Sequence, residues 1–572
     1  MKHSRDRIRR RLTRPATAVA ALAGMALVAA ACSSAGNNPG SRASSGTAVT
    51  LNVEASPTGP IADNFNPFGS TSPGNLLGAT SMVYEPLLQY NLAKPGQTYP
   101  WLATSYAFSN DDKTLSLQLR HGVKWSDGKP FTSADVAFTF NMLKKYPAIN
   151  SLGITFASVS TPNPYEVVLT FASPAYVQLY NIAGATPIVP EHIWSKVGNP
   201  AAYADAKPVG TGPYLVQSIT SQGIDLTRNP SYWQPGLPKI GKLDYIVYDS
   251  NTSANLSLEN GQLDWAGNFV PHIKQVYQSR DPSHRFYGFP PYRTSYMIVN
   301  LTQYPFQYPQ VREALSLALD RAAVVDAGEY GEQPPALSPT GLVIPLQDGE
   351  LAAQYTARYG QPDLSKARSL LKSVGFRYSG GRLYEPNGKP FNLTIIGPSA
   401  YTDVMADYQV VAQQWRDLGA TVTIDGEAVN SWLQQTQTGQ YQVTITATPS
   451  AEIVDPWGSF NELLNSALAS PVGHPSVGDQ EHYDSPQANA LLTQWANATT
   501  AVARQQAEDG IEKLMATQVP VIPLFYNVLF AEWTTNKVTG WPTAANDYEV
   551  PTPGGEQAEV VALHLVPASS GG

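Results

Sequence analysis

The chain has 572 residues, of which 42% are hydrophobic and 14% are charged, so it can bury a large core. Residues 32–572 carry 30 basic and 44 acidic side chains, and this net charge of −14 argues against binding to nucleic-acid phosphates. The single cysteine excludes an internal disulfide and a cysteine-based zinc site. The sequence also lacks a Walker loop, a GxSxG motif and a GxGxxG motif, which disfavours nucleotide hydrolysis, hydrolase chemistry and dinucleotide cofactors.

A basic segment and an apolar run precede the only cysteine. Residues 1–14 are rich in Arg, and Ala16–Ala31 is an Ala-rich run too short for a typical membrane span. The small residues before Cys32 resemble the lipobox of bacterial lipoproteins, whose cysteine becomes a lipid-modified N-terminus. This resemblance implies a signal peptide over 1–31, a lipid-modified Cys32 that begins a flexible Gly/Ser/Asn-rich tether over 32–47, and anchoring on the outer face of the cytoplasmic membrane. An ordinary secretory signal with an unmodified cysteine is the alternative.

The first half of the remaining chain alternates strand patterns with turns. Apolar and polar residues alternate over Val49–Val53 and Ser116–Leu119, and further strands are predicted at Ile224–Thr227 and Leu243–Tyr248. The spacing of apolar residues over Ser133–Lys145 predicts a helix with Thr132 or Ser133 as its N-cap.

The second half is richer in helical periodicity. Helices are predicted at Val311–Ala327, Leu364–Val374 and Asp403–Leu418, and Gln487–Met515 reads as one long helical stretch or two helices. Strands are predicted at Ala420–Asp425 and Val519–Phe525. Strands that alternate with helices of this length indicate an α/β fold.

Several segments, in this order along the chain, resemble those of one protein family. They are YEPLL at 84–88, LRHGVKWSDGKPFTSADV at 119–136, PVGTGPY at 208–214, RNPSYW at 228–233 and VREALSLALDR at 311–321. The chain resembles the solute-binding proteins of ABC importers, in the cluster of bacterial extracellular solute-binding family 5 that takes oligopeptides, dipeptides, nickel or oligosaccharides. The resemblance covers roughly residues 50–545 of the chain.

The resemblance implies an α/β fold of the two-lobed periplasmic-binding-protein type (type II, large cluster with an extra subdomain), whose lobes close over a cleft by a hinge motion. The first lobe is expected to comprise residues 48–92, 205–290 and 523–572, with an extra subdomain at 93–204. The second lobe is expected at 291–522. The chain is expected to cross between the lobes near Phe289–Tyr296 and Val521–Tyr526.

The resemblance also implies a function without bond chemistry. A solute that contacts both lobes favours the closed state, which then docks on ABC permease subunits served by a separate ATPase. An oligopeptide is the leading ligand, and a short oligosaccharide is the alternative. We expect a monomer without catalytic residues, cofactor or metal site; nickel and haem are disfavoured because the histidines are not clustered. An enzyme is the rival class, since Ser369–Lys372 fits SxxK, but no SDN or KTG motif accompanies it.

Eight residues are candidates for contact with the solute, each by its position in the family pattern. Those expected in the first lobe are Asn66, Tyr84, Trp265, Asn268 and Phe269. Those expected in the second lobe are Thr448, Glu452 and Trp457. Glu452 is the candidate acid for a peptide α-ammonium, with a solvated loop acid as the alternative. Trp265 with Asn268 would suit a sugar or an uncharged peptide, and Trp457 would stack on a sugar or peptide or simply fill the core.

The remaining motif residues are expected to be structural. Gly210 and Gly212 are expected to allow backbone angles that side chains forbid. Asp135, Arg312, Asp320 and Arg321 are expected to form ion pairs or helix caps rather than to contact a ligand.

Overall fold

The computed structural model describes residues 49–568 except 95, 289, 345, 356–358, 448–454 and 544. The part of the chain from Ala48 onward forms one compact unit. None of the helices among the described residues combines the length and the apolar composition needed to cross a bilayer.

The strands occur throughout this unit. They are β1 (Thr50–Glu54), β2 (Leu88–Tyr90), β3 (Thr98–Pro100), β4 (Ala103–Ser109), β5 (Thr114–Leu119), β6 (Ser158–Asn163), β7 (Glu166–Thr170), β8 (Tyr214–Thr220), β9 (Gly223–Arg228), β10 (Lys242–Ile246), β11 (Trp265–Ala266), β12 (His284–Gly288), β13 (Arg293–Val299), β14 (Arg377–Ser379), β15 (Arg382–Tyr384), β16 (Asn392–Pro398), β17 (Thr421–Glu427), β18 (Val443–Ala447), β19 (Ile522–Asn527), β20 (Phe530–Thr534), β21 (Val538–Thr539) and β22 (Val566–Pro567).

The longer helices are concentrated in the second half. The α-helices are α1 (Pro73–Leu76), α2 (Ser133–Lys145), α3 (Glu191–Trp194), α4 (Asn251–Glu259), α5 (Pro309–Leu317), α6 (Arg321–Gly328), α7 (Leu364–Ser373), α8 (Thr402–Leu418), α9 (Val429–Gln437), α10 (Trp457–Leu464), α11 (Pro486–Ala496), α12 (Ala501–Gln518) and α13 (Gln557–His564).

The first lobe is built on a seven-stranded sheet with strand order β12-β20-β11-β1-β10-β9-β8. A separate four-stranded sheet, β4-β5-β7-β6, belongs to the subdomain of this lobe. Buried side chains of both sheets, such as Leu51, Leu117 and Leu243, belong to one hydrophobic cluster, so the subdomain and the first lobe share a core.

The second lobe is built on a five-stranded sheet with strand order β17-β16-β18-β13-β19. Alternate residues of β13 point to opposite faces: Met297 and Val299 pack in one cluster, and Tyr296 and Ile298 in another. Because helices cover both faces, the second half of the strand, Tyr296–Val299, is continuously apolar rather than alternating.

Two chain segments join the lobes. The first runs from β12 to β13 and the second from β19 to β20, and at each end the two strands are antiparallel neighbours. Because β19 (Ile522–Asn527) pairs within the second sheet, the return crossing comes after Asn527. The boundary expected at residue 523 falls within β19 and stays a prediction.

One predicted helix is corrected by the structure. The stretch Val311–Ala327 is two helices, because α5 ends at Leu317 and α6 begins at Arg321. Asp320 is the N-cap of α6, and its Oδ1 accepts a hydrogen bond from the Ala323 backbone N–H at 3.1 Å.

The charged motif residues have structural partners. The carboxylate of Asp135 accepts hydrogen bonds from the backbone N–H groups of Thr132 and Glu191, which ties α2 to α3. Arg312 and Arg321 donate to backbone carbonyl oxygens, such as those of Val519 and Pro523, rather than forming ion pairs.

Gly210 and Gly212 are needed for a reason other than the expected one. Neither has a positive φ. A Cβ at Gly210 would lie 1.8 Å from the carbonyl oxygen of Val83, and one at Gly212 would lie 2.6 Å from that of Met82. The turn therefore requires glycine because it packs directly on another backbone segment.

Candidate functional site: the hinge cleft

A cavity of about 480 Å³ lies where the chain crosses between the two lobes, and we call it the hinge cleft. Both lobes line it. The lining side chains used below are Ser56, Asn251, Asn268, Phe269, Arg293, Gln333, Tyr401, Asp403, Asn527, Glu556 and Gln557.

The first-lobe wall follows the carboxyl ends of two parallel strands. β1 and β11 pair in parallel, with Glu54 opposite Ala266. Their continuations, 55–57 and 267–269, both line the cleft. Solutes bind at this position in open α/β sheets, because the carboxyl ends of parallel strands lie at the same edge of the sheet. Gly267 is required there, since a Cβ would lie 2.8 Å from Cδ of Pro553.

The second-lobe wall is built in the same way. β16 runs parallel to β17, and the chain beyond β16 supplies Tyr401 and Asp403 at the start of α8. The two hinge strands contribute Arg293 and Asn527, which lie opposite each other in the β13–β19 register.

The two lobes touch across the cleft. The Ser56 hydroxyl donates to the Tyr401 hydroxyl at 3.1 Å, and Asn251 Nδ2 donates to Asp403 Oδ1 at 2.9 Å. At the side of the cleft, the Tyr330 ring of the second lobe lies 6.2 Å from that of Phe269. A solute that contacts both walls would add to these contacts and so favour the closed arrangement.

Arg293 is the cation of the cleft. Its Nε is buried without a hydrogen-bond partner, and among the described residues its guanidinium forms no salt bridge. Its charge does act on the Glu462 carboxyl, whose pKa it lowers against the larger effect of burial. The guanidinium carbon lies 5.2 Å from the centroid of the Tyr292 ring. A guanidinium in this state is suited to a carboxylate, which it can bind through two parallel hydrogen bonds.

Two carboxyl groups line the same cleft. Burial raises the pKa of Asp403, and the hydrogen bond from Asn251 acts in the opposite direction. Burial also raises the pKa of Glu556. A cationic group of a solute would favour the charged form of both acids.

Two further acids lie beneath the cleft floor. Glu54 on β1 and Glu532 on β20 flank Ala266 of β11 in the sheet register. Burial raises the pKa of Glu54 to about 8, and neither of its carboxyl oxygens has a partner among the described residues. Glu532 accepts a hydrogen bond from the Asn268 backbone N–H at 3.2 Å, so it supports the cleft wall.

The structure brings two of the sequence-predicted residues to this cleft, Asn268 and Phe269. The Asn268 amide is engaged within its own lobe, since Nδ2 donates to Asn255 Oδ1 at 2.6 Å. Trp265 is different: its indole is fully buried in the first-lobe core and donates to the Pro551 carbonyl at 2.6 Å. An indole so enclosed has no face to offer a solute, so its role here is packing.

Asn66 and Tyr84 lie away from the hinge cleft. Asn66 Nδ2 donates to the carbonyl oxygens of Pro200 and Tyr203, which fixes that loop. The Tyr84 hydroxyl donates to Asp205, while the ring lines a neighbouring cavity of about 220 Å³.

Trp457 lines another cavity, between the subdomain and the second lobe, and its Nε1 donates to the Leu492 carbonyl at 2.9 Å. Thr448, Glu452 and Cys32 lie outside the described residues. Their predicted roles remain predictions.

Sequence reasoning missed Arg293, Asp403 and Glu556 as cleft residues. Asp403 was assigned only to a helix start and Arg293 only to a hinge segment. Cleft residues of this kind can be found as polar residues that directly follow parallel strands. The sequence pattern does not show which strands are parallel, so it does not identify them.

Comparison with known proteins establishes the family. Residues 97–470 match the model of the bacterial extracellular solute-binding proteins, family 5 (middle region), which is more than half of the chain. The chain belongs to this family. It is therefore a solute-binding protein of an ABC importer, and not an enzyme.

Relatives of this family 5 protein bind chemically different solutes. It is 29% identical to the nickel-binding periplasmic protein of Escherichia coli over 433 residues, 73% of this chain and 80% of the relative. It is 26% identical to the glutathione-binding protein of the same species over 452 residues, 77% of this chain and 83% of the relative.

A solved structure confirms the two-lobed fold. It is the mannohexaose-bound periplasmic oligopeptide-binding protein of Thermotoga maritima, with a TM-score of 0.82 at 24% identity. The match covers 92% of this chain and 99% of that one.

Among the described residues, no group of three or more His, Cys, Asp or Glu side chains is arranged to hold a metal ion.

Proposed function

We propose that this family 5 protein captures a short peptide in the hinge cleft and delivers it, as a monomer, to the permease of the importer. The observation that supports a peptide is Arg293, a cleft-lining guanidinium whose Nε has no hydrogen-bond partner and which forms no salt bridge among the described residues. The cleft volume of about 480 Å³ lies within the usual range for small-ligand sites.

A peptide zwitterion complements both signs of charge in the cleft. Its carboxylate would pair with Arg293, and its ammonium group would approach Asp403 and Glu556. A solute without an acceptor for Arg293 would instead leave the buried Nε–H without a hydrogen-bond partner, which costs free energy. The predicted role of Glu452 as a second acceptor for the α-ammonium is compatible with this arrangement and stays a prediction.

Replacing Arg293 tests the peptide assignment. We expect Arg293→Gln to weaken binding of a random tripeptide mixture with free carboxylates by about tenfold or more, because a charge-assisted hydrogen bond contributes about 1.5–3 kcal/mol. The corresponding C-terminal amides should lose far less affinity. Isothermal titration calorimetry with both mixtures measures the difference.

The matched control is Arg382→Gln, which removes the same charge from an exposed position in the β14–β15 hairpin. This variant should bind both mixtures as the unmodified protein does. If Arg293→Gln weakens free acids and amides equally, the carboxylate role is wrong.

A short oligosaccharide is the second candidate. The observation in its favour is the set of side-chain amides in the cleft, Asn251, Gln333, Asn527 and Gln557, which can bond to hydroxyl groups. The buried position of Trp265 favours this ligand less than an exposed indole would. For this ligand, Arg293→Gln would change affinity little, and a hexose-spaced mass series would co-purify with the protein.

We also propose that Cys32 carries the lipid anchor, after removal of residues 1–31. The sole cysteine follows an apolar run that ends in small residues, as processing and lipidation require. The mature protein should then partition into detergent and show a lipid-sized mass increase at its N-terminus, whereas Cys32→Ser should be aqueous. A mature wild-type chain with an unmodified N-terminus would contradict the anchor.

A further inference from the structure

Four cavities adjoin one another from the hinge cleft to the outer edge of the subdomain. The hinge cleft shares Gly555 and Glu556 with the cavity of about 220 Å³ that Tyr84 lines. That cavity shares Pro67, Ala185 and Pro187 with a narrow one of about 90 Å³. The narrow one shares Leu143, Asn150 and Leu152 with a cavity of about 610 Å³.

The last of these, which we call the amide cavity, has walls from both lobes. The subdomain contributes 143–156 and 173–181, and the second lobe contributes α10, α11 and their flanking loops. Nearby, the Tyr176 hydroxyl of the subdomain donates to the Trp495 carbonyl at 3.2 Å, and the guanidinium of Arg504 lies 4.6 Å from the Tyr176 ring. A ligand in this cavity would therefore bridge the lobes a second time.

The lining of the amide cavity is polar but nearly uncharged. Its asparagines are Asn150, Asn181, Asn461, Asn465, Asn489 and Asn497. Among the described lining residues the one charged side chain is Lys144, whose ammonium group donates to the carbonyl oxygens of Phe156 and Ala157 at 3.1 and 2.8 Å. The cavity is thus suited to groups that exchange neutral hydrogen bonds.

Two asparagines of this lining can exchange water for a ligand. Asn461 is partly exposed and its Oδ1 accepts from Asn465 Nδ2 at 2.9 Å, and the side chain of Asn497 is exposed. The Trp457 indole has its N–H engaged by Leu492, so what it adds to the lining is apolar ring surface. Amide donors beside an aromatic wall suit a polar, uncharged chain.

We propose that the amide cavity is a second binding site for the same solute, taking the uncharged distal residues of an extended peptide whose charged end lies in the hinge cleft. This inference rests on the proposed function, since it assumes a peptide in the cleft. Residues with hydroxyl or amide side chains are favoured in the amide cavity. Each neutral hydrogen bond gained there raises affinity by about fivefold.

Blocking the amide cavity separates the two sites. Ala467 lines it, is exposed, and lies on the short turn Ser466–Leu468, so Ala467→Trp narrows the cavity without disturbing the core. Ala327→Trp on the exposed side of α6 is the matched control. Each protein is equilibrated with a random library of di- to octapeptides, and the retained peptides are sized and sequenced by mass spectrometry.

We expect the wild-type protein and the Ala327→Trp variant to retain longer peptides, with Ser, Thr, Asn and Gln enriched at one end. Ala467→Trp should retain only the shorter ones, with unchanged affinity for tripeptides. Asn461→Ala should weaken longer peptides by about fivefold and leave tripeptides unaffected. An effect on longer peptides alone shows that the amide cavity binds part of the peptide, whereas a purely structural role of these residues would affect tripeptides as well.

Two outcomes overturn the inference in different ways. If the wild type and Ala467→Trp retain the same length distribution, the second site is wrong while the peptide assignment stands. If the wild type retains no peptide, the proposed function fails and the inference fails with it.

Discussion

Gly210 lies where the PVGTGPY turn passes over the backbone of Val83. The Gly212 N–H donates to the Val83 carbonyl oxygen at 3.0 Å, and the Gly210 carbonyl accepts from the Ser126 N–H at 2.9 Å. The turn is thus held on two sides by backbone hydrogen bonds, and the neighbouring atoms belong to a backbone that cannot rotate away. The glycine of this family motif is required because the two backbone segments approach closely. A single sequence does not distinguish that requirement from a turn that needs an unusual backbone angle.

We expect Gly210→Ala to destabilise the protein by about 3 kcal/mol, because a methyl group at that position overlaps a fixed carbonyl oxygen. Urea unfolding of the purified body measures the change. The matched control is Gly198→Ala, where a Cβ would have nothing within 4 Å. The control should change stability by no more than about 0.5 kcal/mol. Equal stability of the two variants would contradict the close-approach explanation.

At the level of elements, a helix is predictable from the sequence where its single apolar face packs against one sheet. The helix predicted at Asp403–Leu418 is α8 (Thr402–Leu418), which ends at Gly419 with φ +109°. Its buried residues, such as Val411 and Trp415, are those of the predicted stripe. Here the local signals, an apolar period and a terminal glycine, agree with the tertiary packing.

The stretch Val311–Ala327 shows where this reasoning fails. The apolar period continues through it, because α5 and α6 both pack in the same second-lobe core. The break is marked by Asp320, which caps α6. An acidic residue such as Asp320 can indicate the N-cap of a new helix. The apolar periodicity that continues through it favours one helix more strongly, so a single helix is predicted from the sequence.

The candidate site was less predictable than the elements. Phe269 and Asn268 were found because they follow a recognisable family segment. Arg293 and Asp403 meet at the cleft only through the crossing of β13 and the direction of β16. The same segment predicts that Trp265 lies near the cleft, but it does not show which way the side chain points, and the structure buries the indole in the first-lobe core.

At the scale of the whole molecule, acids whose pKa is raised by burial occur in both lobes. Burial raises the pKa of Glu54 to about 8 and that of Glu549 to about 8 in the first lobe. In the second lobe, burial raises the pKa of Glu462 and of Glu512 to about 7. These groups bind protons in the folded state at a pH where the unfolded chain has released them.

The sign of the resulting pH dependence follows from linkage. Since each folded pKa lies above the ordinary carboxyl value of about 4.3, the folded state holds more protons between that value and about 8. The contribution of these four groups to the free energy of unfolding therefore falls as the pH rises through this window. Burial lowers the pKa of His482, which opposes the trend only below its ordinary pKa of about 6.5.

We expect the protein to be more stable at pH 5 than at pH 8, and Glu54 to account for part of the difference. At pH 8 the Glu54 carboxyl is ionised in the unfolded chain, and folding must either protonate it or bury its charge. Glu54→Gln removes that cost, so it should raise the free energy of unfolding at pH 8 by about 1–3 kcal/mol and change it little at pH 5. The exposed Glu259→Gln is the control and should leave the pH profile unchanged. Thermal unfolding of the unlipidated body at both pH values measures this. A Glu54→Gln effect of equal size at both values would mean that lost packing, rather than protonation, governs this position.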